Sequence, residues 1–177
     1  AVAHTTSAAD LAGIKNIEKI TYDTTSTGTI TLDDAVFTNA GITNLDIRDT
    51  EATAGLTVTA SALSAANSVT VTDNGGNITS SYTGGAGDDT FKVTINHATA
   101  LAAADTITGG KGTDELIVTA GNASLTQATQ SGVTAVEKIT FVGTAAKTIG
   151  YTLDDATFVT TALAAVSGVV DASGMTG

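Results

Sequence analysis

The chain has 177 residues, a formal net charge of −11, and no cysteine, proline or tryptophan. The acidic balance argues against nucleic-acid binding, which needs a basic surface, and it suits a protein that meets divalent cations. The lack of cysteine excludes disulfides and thiol chemistry, and no apolar run is long enough to span a bilayer.

Threonine supplies about a fifth of the residues, whereas aromatic residues make up only 4%. Threonine favours strands, so the composition predicts many strands built from small residues around a thin core. Such a core needs further stabilisation, and bound metal is the obvious source.

The first half of the chain alternates apolar residues with threonine, which is typical of half-buried strands. Strands are predicted at residues 18–22, 29–32, 44–47, 56–59 and 69–72. Between them, residues 33–40 predict a helical turn, because Asp33 and Asp34 suit the positive end of a helix dipole. An Asn-Gly turn is predicted at residues 73–77.

Two glycine-rich nonapeptides follow. Residues 84–92 read G-G-A-G-D-D-T-F-K, and residues 109–117 read G-G-K-G-T-D-E-L-I. Both match G-G-x-G-x-D-x-U-x, where U is a large apolar residue, the signature of a calcium-binding parallel β-roll. The glycines allow a turn whose carbonyl oxygens converge, Asp89 and Asp114 add carboxylates, and a strand follows each turn. Ordinary glycine-rich turns with a solvated Asp are the alternative interpretation.

A third, degenerate copy ends at Ala104-Asp105-Thr106-Ile107-Thr108, which predicts Asp105 as a further calcium ligand. Asp73 is a weaker candidate, since an Asp in a turn commonly binds its own backbone. The Ala-rich residues 96–104 predict one helical turn that bulges from the coil.

The chain also contains a long internal repeat. Residues 13–22 match residues 132–141 at an offset of 119, and residues 31–37 match residues 152–158 at an offset of 121. Residues 1–120 therefore form a first solenoid repeat that contains the calcium turns (84–117). Residues 121–177 form the front half of a second repeat, and both belong to one continuous domain.

The second repeat is expected to contain a loop or short helix at 124–132, a helix at 160–166 and a strand at 169–173. The expected fold is thus all-β: a parallel β-roll or β-helix-like solenoid with short helical turns and a repeat of about 120 residues. The N-terminus has no Met and no signal-peptide pattern, and it reads as part of something larger or as a processed product.

The nonapeptides, the two E-K-I-T blocks and the D-D-A-x-F turns together resemble the repeat-in-toxin (RTX) family, and in particular surface-layer proteins and large adhesins of Gram-negative bacteria. The resemblance implies that calcium lies between successive turns, held by Asp89 and Asp114. It also implies backbone carbonyl ligands from Gly84, Ala86, Asp88, Gly109, Lys111 and Thr113.

The spacing departs from that family. A regular roll returns to the same edge after two nonapeptides, whereas Gly84 and Gly109 are 25 residues apart. It therefore stays open whether both turns share one ion. The resemblance further implies export in an unfolded state and calcium-driven folding outside the cell, where calcium is plentiful.

The expected function is a calcium-stabilised structural module of an extracellular bacterial surface layer or similar array, which associates with like repeats or subunits. Cell-surface polysaccharide is a further expected partner. One alternative is an adhesin module whose threonine rows (Thr29/Thr31, Thr57/Thr59, Thr70/Thr72) bind glycan or ice. Another is the calcium roll of a secreted hydrolase. No enzymatic role is expected, since no acid–base constellation is visible, and His4 and His97 lack the partners of a zinc site.

Overall fold

The computed structural model describes residues 4–23, 25–50, 53–74, 79–95, 105–120, 132–143 and 169–175. One sheet has six strands: β1 (His4–Thr6), β3 (Gly28–Asp33), β5 (Leu56–Ala62), β7 (Ser81–Thr83), β9 (Thr106–Thr108) and β11 (Val133–Thr134). The other has seven: β2 (Lys19–Tyr22), β4 (Asn44–Asp49), β6 (Ser68–Asp73), β8 (Thr90–Ile95), β10 (Glu115–Ala120), β12 (Lys138–Gly143) and β13 (Val169–Met175). Two short helices are described, α1 (Ala8–Leu11) and α2 (Asp34–Ala40).

Consecutive strands from β1 to β12 alternate between the two sheets, and all neighbouring strands pair in parallel. Each coil of the chain therefore adds one strand to each sheet, which is the architecture of a β-solenoid. The strand β13 pairs with β12 in the seven-stranded sheet. The expectation of an all-β parallel solenoid with short helical turns is confirmed.

The core lies between the two sheets and consists of in-register rows of apolar side chains. One such row contains Ile47, Val71, Phe91, Leu116 and Ile139, which are all at most 3% exposed. Alternate residues point inward, as the period of two requires. Each fully buried large side chain contributes about 1.5–3 kcal/mol, so these rows are the main apolar support of the coil.

Most strands predicted from alternation are confirmed: β2, β3, β4, β5, β6, β8 and β13. The predicted helical turn at 33–40 is α2, and Asp33 is its N-cap, with its carboxylate accepting from the N–H groups of Ala35 and Val36. Gly41, with φ of +73°, ends the helix. Neither described helix is long and apolar enough to cross a membrane.

Helix α1 and the short strands β1, β7 and β11 escaped prediction. Helix α1 begins with a capping box, in which Ser7 and Asp10 bond each other's backbone N–H groups. Strand β7 has only three residues, too few to show a period, and its pairing with β5 and β9 defines it. The helical turns predicted at 96–104 and 160–166, most of the segment 124–132 and the repeat block at 152–158 lie outside the described residues.

The segments that precede the two E-K-I-T blocks share one backbone feature. Asn16 and Ala135 occupy equivalent positions, and both have positive φ, of 54° and 52°. Strands β2 and β12 follow these positions in the same sheet. The repeat length of about 120 residues and the division at residue 120 stay predictions.

Candidate metal centre

The two nonapeptide turns stack directly on each other along one edge of the solenoid. Residues 84–89 join β7 to β8, and residues 109–114 join β9 to β10. The N–H of Lys111 donates to the Gly85 carbonyl over 3.0 Å, and the N–H of Glu115 donates to the Asp89 carbonyl over 2.9 Å. The spacing of 25 residues is therefore one full coil at this point, so the turns are neighbours despite their departure from a regular roll.

The stacked turns approach so closely that the upper turn requires glycine. Gly110 and Gly112 have φ of +117° and +113°, a region that side chains rarely tolerate. A Cβ atom on Gly112 would lie 2.5 Å from the Gly87 carbonyl oxygen of the turn below. Gly85 and Gly87 do not have positive φ, so the two turns share a sequence pattern but differ in backbone conformation.

Three carboxylates form a ladder along this edge, which we call the corner ladder. Each accepts a hydrogen bond from the backbone N–H of the residue one coil earlier in the same row. The Val69 N–H donates to Asp89 Oδ1 over 2.7 Å, and the Asp89 N–H donates to Asp114 Oδ1 over 2.8 Å. The Asp114 N–H donates to Glu137 Oε2 over 2.8 Å. These bonds connect four successive coils at the point where the strands begin.

Sequence reasoning missed Glu137 as a member of this row. Glu137 directly precedes β12, as Asp114 precedes β10 and Asp89 precedes β8. An alignment of the strand starts in register, Thr90 with Glu115 and Glu115 with Lys138, would have placed it there.

Burial makes the two nonapeptide carboxylates unusual. Asp89 is 1% exposed and Asp114 is 0% exposed. Burial raises the pKa of Asp89, although the bonds from Val69 and Gly85 oppose the shift. Burial, aided by the charges of Asp89, Glu137 and Asp88, raises the pKa of Asp114 to about 7.

The hydrogen-bond partners of the two carboxylates differ. Asp89 Oδ2 accepts from the Gly85 N–H over 2.6 Å, so both oxygens of Asp89 are bonded. Asp114 Oδ2 is buried and accepts nothing from the described part of the chain. A buried carboxylate oxygen without a donor destabilises the folded state. A proton or a cation bound at this atom would remove that penalty.

Within the described residues, nine of the twelve backbone carbonyls of the two turns accept no hydrogen bond, the exceptions being Gly85, Asp89 and Asp114. The nine include the six that the resemblance implies as calcium ligands, those of Gly84, Ala86, Asp88, Gly109, Lys111 and Thr113. The other three are the carbonyls of Gly87, Gly110 and Gly112. Most carbonyl oxygens of the turns are thus left available to a hard cation.

The remaining predicted ligands lie differently. Asp88 is exposed, and its Oδ1 accepts from the Thr113 N–H of the turn above over 2.8 Å. Asp105 precedes β9 in the six-stranded sheet, and its Oδ1 accepts from the Ser80 N–H one coil earlier over 2.9 Å. The structure therefore places Asp105 at another edge from Asp89 and Asp114.

Asp73 lies at the C-terminal end of β6, whereas the nonapeptide turns precede the N-terminal ends of β8 and β10. Its Oδ2 accepts from the hydroxyl of buried Tyr82 over 2.7 Å. Burial, with the nearby charge of Asp73, raises the pKa of Tyr82 well above its usual value. The hydroxyl thus remains a donor to Asp73 at neutral pH.

No group of three or more Asp, Glu, His or Cys side chains in the described ranges is arranged to hold a metal ion by itself. A calcium ion at these turns would need backbone carbonyls to complete a shell of six to eight oxygens. The free carbonyls and the unpartnered Asp114 Oδ2 fit that requirement. Comparison of the chain with protein-family models, curated proteins and solved structures finds no match.

Proposed function

We propose that this chain is a calcium-stabilised structural module of an extracellular bacterial surface layer or a similar surface array. The observation that carries the proposal is the buried, unpartnered Asp114 Oδ2 beside two stacked turns, most of whose carbonyls accept no hydrogen bond from the described residues. Calcium would be bound by these oxygens and would neutralise closely spaced carboxylates on a chain with a net charge of −11.

Structural rather than catalytic work is supported by the way the buried polar groups are used. Among the described residues, Asp49, Ser80, Asp89 and Asp114 are the buried polar or charged ones. Asp89 and Asp114 bind backbone N–H groups of neighbouring coils, and the Ser80 N–H binds Asp105. These contacts hold coils together, which is what a stacking module needs.

Assembly with like modules is supported by the coil architecture, in which each described strand pairs in parallel with a strand of the neighbouring coil. Solenoid modules built in this way stack end to end. An extracellular location and RTX-like export follow from the resemblance and from the calcium requirement, and they belong to the proposal.

The test is thermal unfolding followed by circular dichroism, in calcium-free buffer and in millimolar calcium, with electron microscopy of the same samples. We expect calcium to raise Tm and to promote ordered sheets or filaments that dissolve in chelator. Equal Tm values with and without calcium would refute the calcium role. A large calcium-dependent Tm without any assembly would refute the array role alone.

A second candidate function is favoured by one specific observation: a threonine ladder on the outer face of the six-stranded sheet. Its in-register rows are Thr5, Thr29, Thr57, Ser81, Thr106 and Thr31, Thr59, Thr83, Thr108, Thr134. Neighbouring hydroxyls lie within bonding distance, 2.6 Å between Ser81 and Thr106 and 3.2 Å between Thr108 and Thr134. The predicted pair Thr70/Thr72 lies instead on the other sheet, in rows with Asp46 and Lys92.

The regular spacing of the threonine ladder suits an ordered, uncharged surface such as ice. Hydroxyls repeat at about 4.8 Å across strands and roughly 6.6 Å along them. The two rows contain no charged or aromatic side chain, which disfavours a glycan. We expect wild-type protein in calcium to inhibit ice recrystallisation, Thr59→Lys to abolish the effect, and the control Thr70→Lys to retain it. Activity equal in both variants, or none in the wild type, refutes ice binding.

A further inference from the structure

The corner ladder has a lower level at Asp89 and an upper level one coil later, at Asp114 and Glu137. The two levels differ in their hydrogen bonds, although Asp89 and Asp114 lie in matching nonapeptides. At the lower level, Asp89 accepts two backbone hydrogen bonds, one to each oxygen, over 2.7 and 2.6 Å. Such charge-assisted bonds are short and strong, and they hold both oxygens toward N–H groups. Asp89 is therefore fully used as a backbone acceptor in the described structure.

At the upper level, each carboxylate keeps one oxygen without a donor. Asp114 uses Oδ1 for the Asp89 N–H, and its Oδ2 is buried and unpartnered. Glu137 uses Oε2 for the Asp114 N–H, and its Oε1 accepts no hydrogen bond from any described residue. Glu137 thus accepts from the backbone N–H of Asp114, the residue whose Oδ2 has no donor among the described residues.

A backbone carbonyl faces the same space. A Cβ atom placed on Gly109 would lie 2.4 Å from Asp114 Oδ2 and 1.8 Å from the Ala135 carbonyl oxygen. Glycine at position 109 thus allows the close approach of an oxygen from each of two adjacent coils. The lower level has the same arrangement at Gly84, which Asp89 Oδ2 and the Gly109 carbonyl approach, but there Oδ2 already accepts from the Gly85 N–H. Ala135 has φ of +52°, a conformation that costs a residue with a side chain about 1–3 kcal/mol, and its carbonyl is turned toward Gly109.

We propose that the divalent cation of this edge is bound at the upper level, by Asp114 Oδ2, Glu137 and the Ala135 carbonyl, and that Asp89 is a backbone cap rather than a ligand. The inference rests on the proposed calcium role and refines it. Glu137 lies outside both nonapeptides, so the site joins a glycine-rich turn to the E-K-I-T block of the next coil. Oxygens of this type and number suit calcium once the free carbonyls of the turn and water complete the shell.

The test compares calcium affinity, measured by isothermal titration with calcium chloride, in four proteins: wild type, Glu137→Gln, Asp89→Asn and Glu18→Gln. Glu18→Gln is the matched control, because Glu18 has the equivalent place before β2, far along the chain from the turns. Gln at position 137 keeps an oxygen for the Asp114 N–H, removes the charge and replaces the second oxygen by an NH2 group. Unfolding in calcium-free buffer is measured in parallel.

We expect Glu137→Gln to weaken calcium binding by roughly tenfold or more, because ligand charge sets the affinity of such sites. Glu18→Gln should match the wild type. Asp89→Asn should lower Tm by a similar amount with and without calcium while its calcium Kd stays within about threefold of the wild type, which is under 1 kcal/mol.

Three results would overturn the inference. Calcium affinity unchanged in Glu137→Gln, or lowered equally in Glu18→Gln, removes Glu137 from the site while the proposed function stands. Loss of calcium binding in a folded Asp89→Asn protein moves the ion to the lower level. No calcium binding by the wild type refutes both the inference and the proposed function. The comparison of Glu137→Gln with Glu18→Gln decides the matter even where Asp89→Asn does not fold.

Discussion

The backbone N–H of Asp89 donates a 2.8 Å hydrogen bond to the carboxylate of Asp114, which lies one coil later in the same row. The acid of one nonapeptide therefore accepts a hydrogen bond from the backbone of the other. This bond leaves the other oxygen of the same carboxylate, Asp114 Oδ2, buried and without a donor among the described residues. We therefore expect the stability of the solenoid, and its dependence on pH and on cations, to be sensitive to the environment of that atom.

Asp114→Asn should have opposite effects on stability in the two metal states. Without calcium at pH 8, the variant should be about 1–3 kcal/mol more stable than the wild type, because it removes a buried charge that lacks a donor. Its side-chain oxygen still accepts from the Asp89 N–H. In millimolar calcium the variant should be less stable, because a charged ligand is gone. Urea unfolding in both buffers measures the difference.

Asp23→Asn is the control for that experiment. Asp23 is exposed, and its substitution by Asn removes one negative charge, as Asp114→Asn does. It should shift stability by less than about 0.5 kcal/mol in either buffer. If Asp114→Asn is destabilising in both buffers, the unpartnered oxygen is not costly and the argument for a cation there fails.

Stability in calcium-free buffer should fall as pH rises from 5 to 8. Burial raises the pKa of Asp114 from 3.8 to about 7, so the folded protein holds a proton there that the unfolded chain has released. The folded state thus binds more protons between about pH 4 and 7, and its stability decreases with rising pH in that interval. The full shift corresponds to roughly 4 kcal/mol as an upper limit.

Urea unfolding at pH 5, 6.5 and 8, in buffer freed of calcium on a chelating resin, measures this slope. Asp114→Asn should reduce the slope, because its titrating group is absent, while the raised pKa of Asp89 still contributes. A wild-type stability that increases from pH 5 to 8, or an unchanged slope in the variant, would contradict the assignment of the slope to Asp114.

Gly112→Ala should destabilise the stacked turns by about 1–3 kcal/mol, because an L side chain at φ of +113° is strained. The new Cβ would also meet the Gly87 carbonyl oxygen at 2.5 Å. Gly13→Ala is the matched control, since a Cβ there meets nothing within 4 Å. Thermal unfolding of both variants in calcium measures the difference. Equal Tm values would show that the turns are not packed as described.

Phe91→Ala should cost about 3–5 kcal/mol, the usual price of removing a buried aromatic ring from a packed core. Phe91 is 0% exposed and lies between Val71 and Leu116 in one inward row. The adjacent Lys92 points outward, so Lys92→Ala should change the free energy of unfolding by less than about 0.5 kcal/mol. Similar losses in both variants would place the core elsewhere.

Local patterns predicted much of this structure. Alternation identified β3, β5 and β6, because each strand has one buried face and one solvent face. The Asp33–Asp34 pair marked the start of α2, and the nonapeptides predicted the two turns with Asp89 and Asp114 at their ends. The three-residue strand β7 lacked any such signal, since its conformation depends on its neighbours β5 and β9.

The composition of the candidate site was harder to predict. Asp105 has the local sequence of a ligand, yet it precedes a strand of the other sheet and caps the Ser80 N–H there. Glu137 belongs to no nonapeptide, yet it binds the backbone of Asp114. The sequence shows the side chain at each position. Which of these side chains lie together in one site depends on which coils are adjacent, and the sequence does not show that.

By itself, the sequence determined the kind of fold and the positions of the two glycine-rich turns. A period of two, glycines at turn positions and acids at strand starts act through backbone sterics and local hydrogen bonds, which neighbouring residues control. Only the tertiary structure decided that a coil of 25 residues stacks the two turns and brings Glu137 beside Asp114. Register between parallel strands depends on the length and path of the whole connection, and no short pattern encodes it.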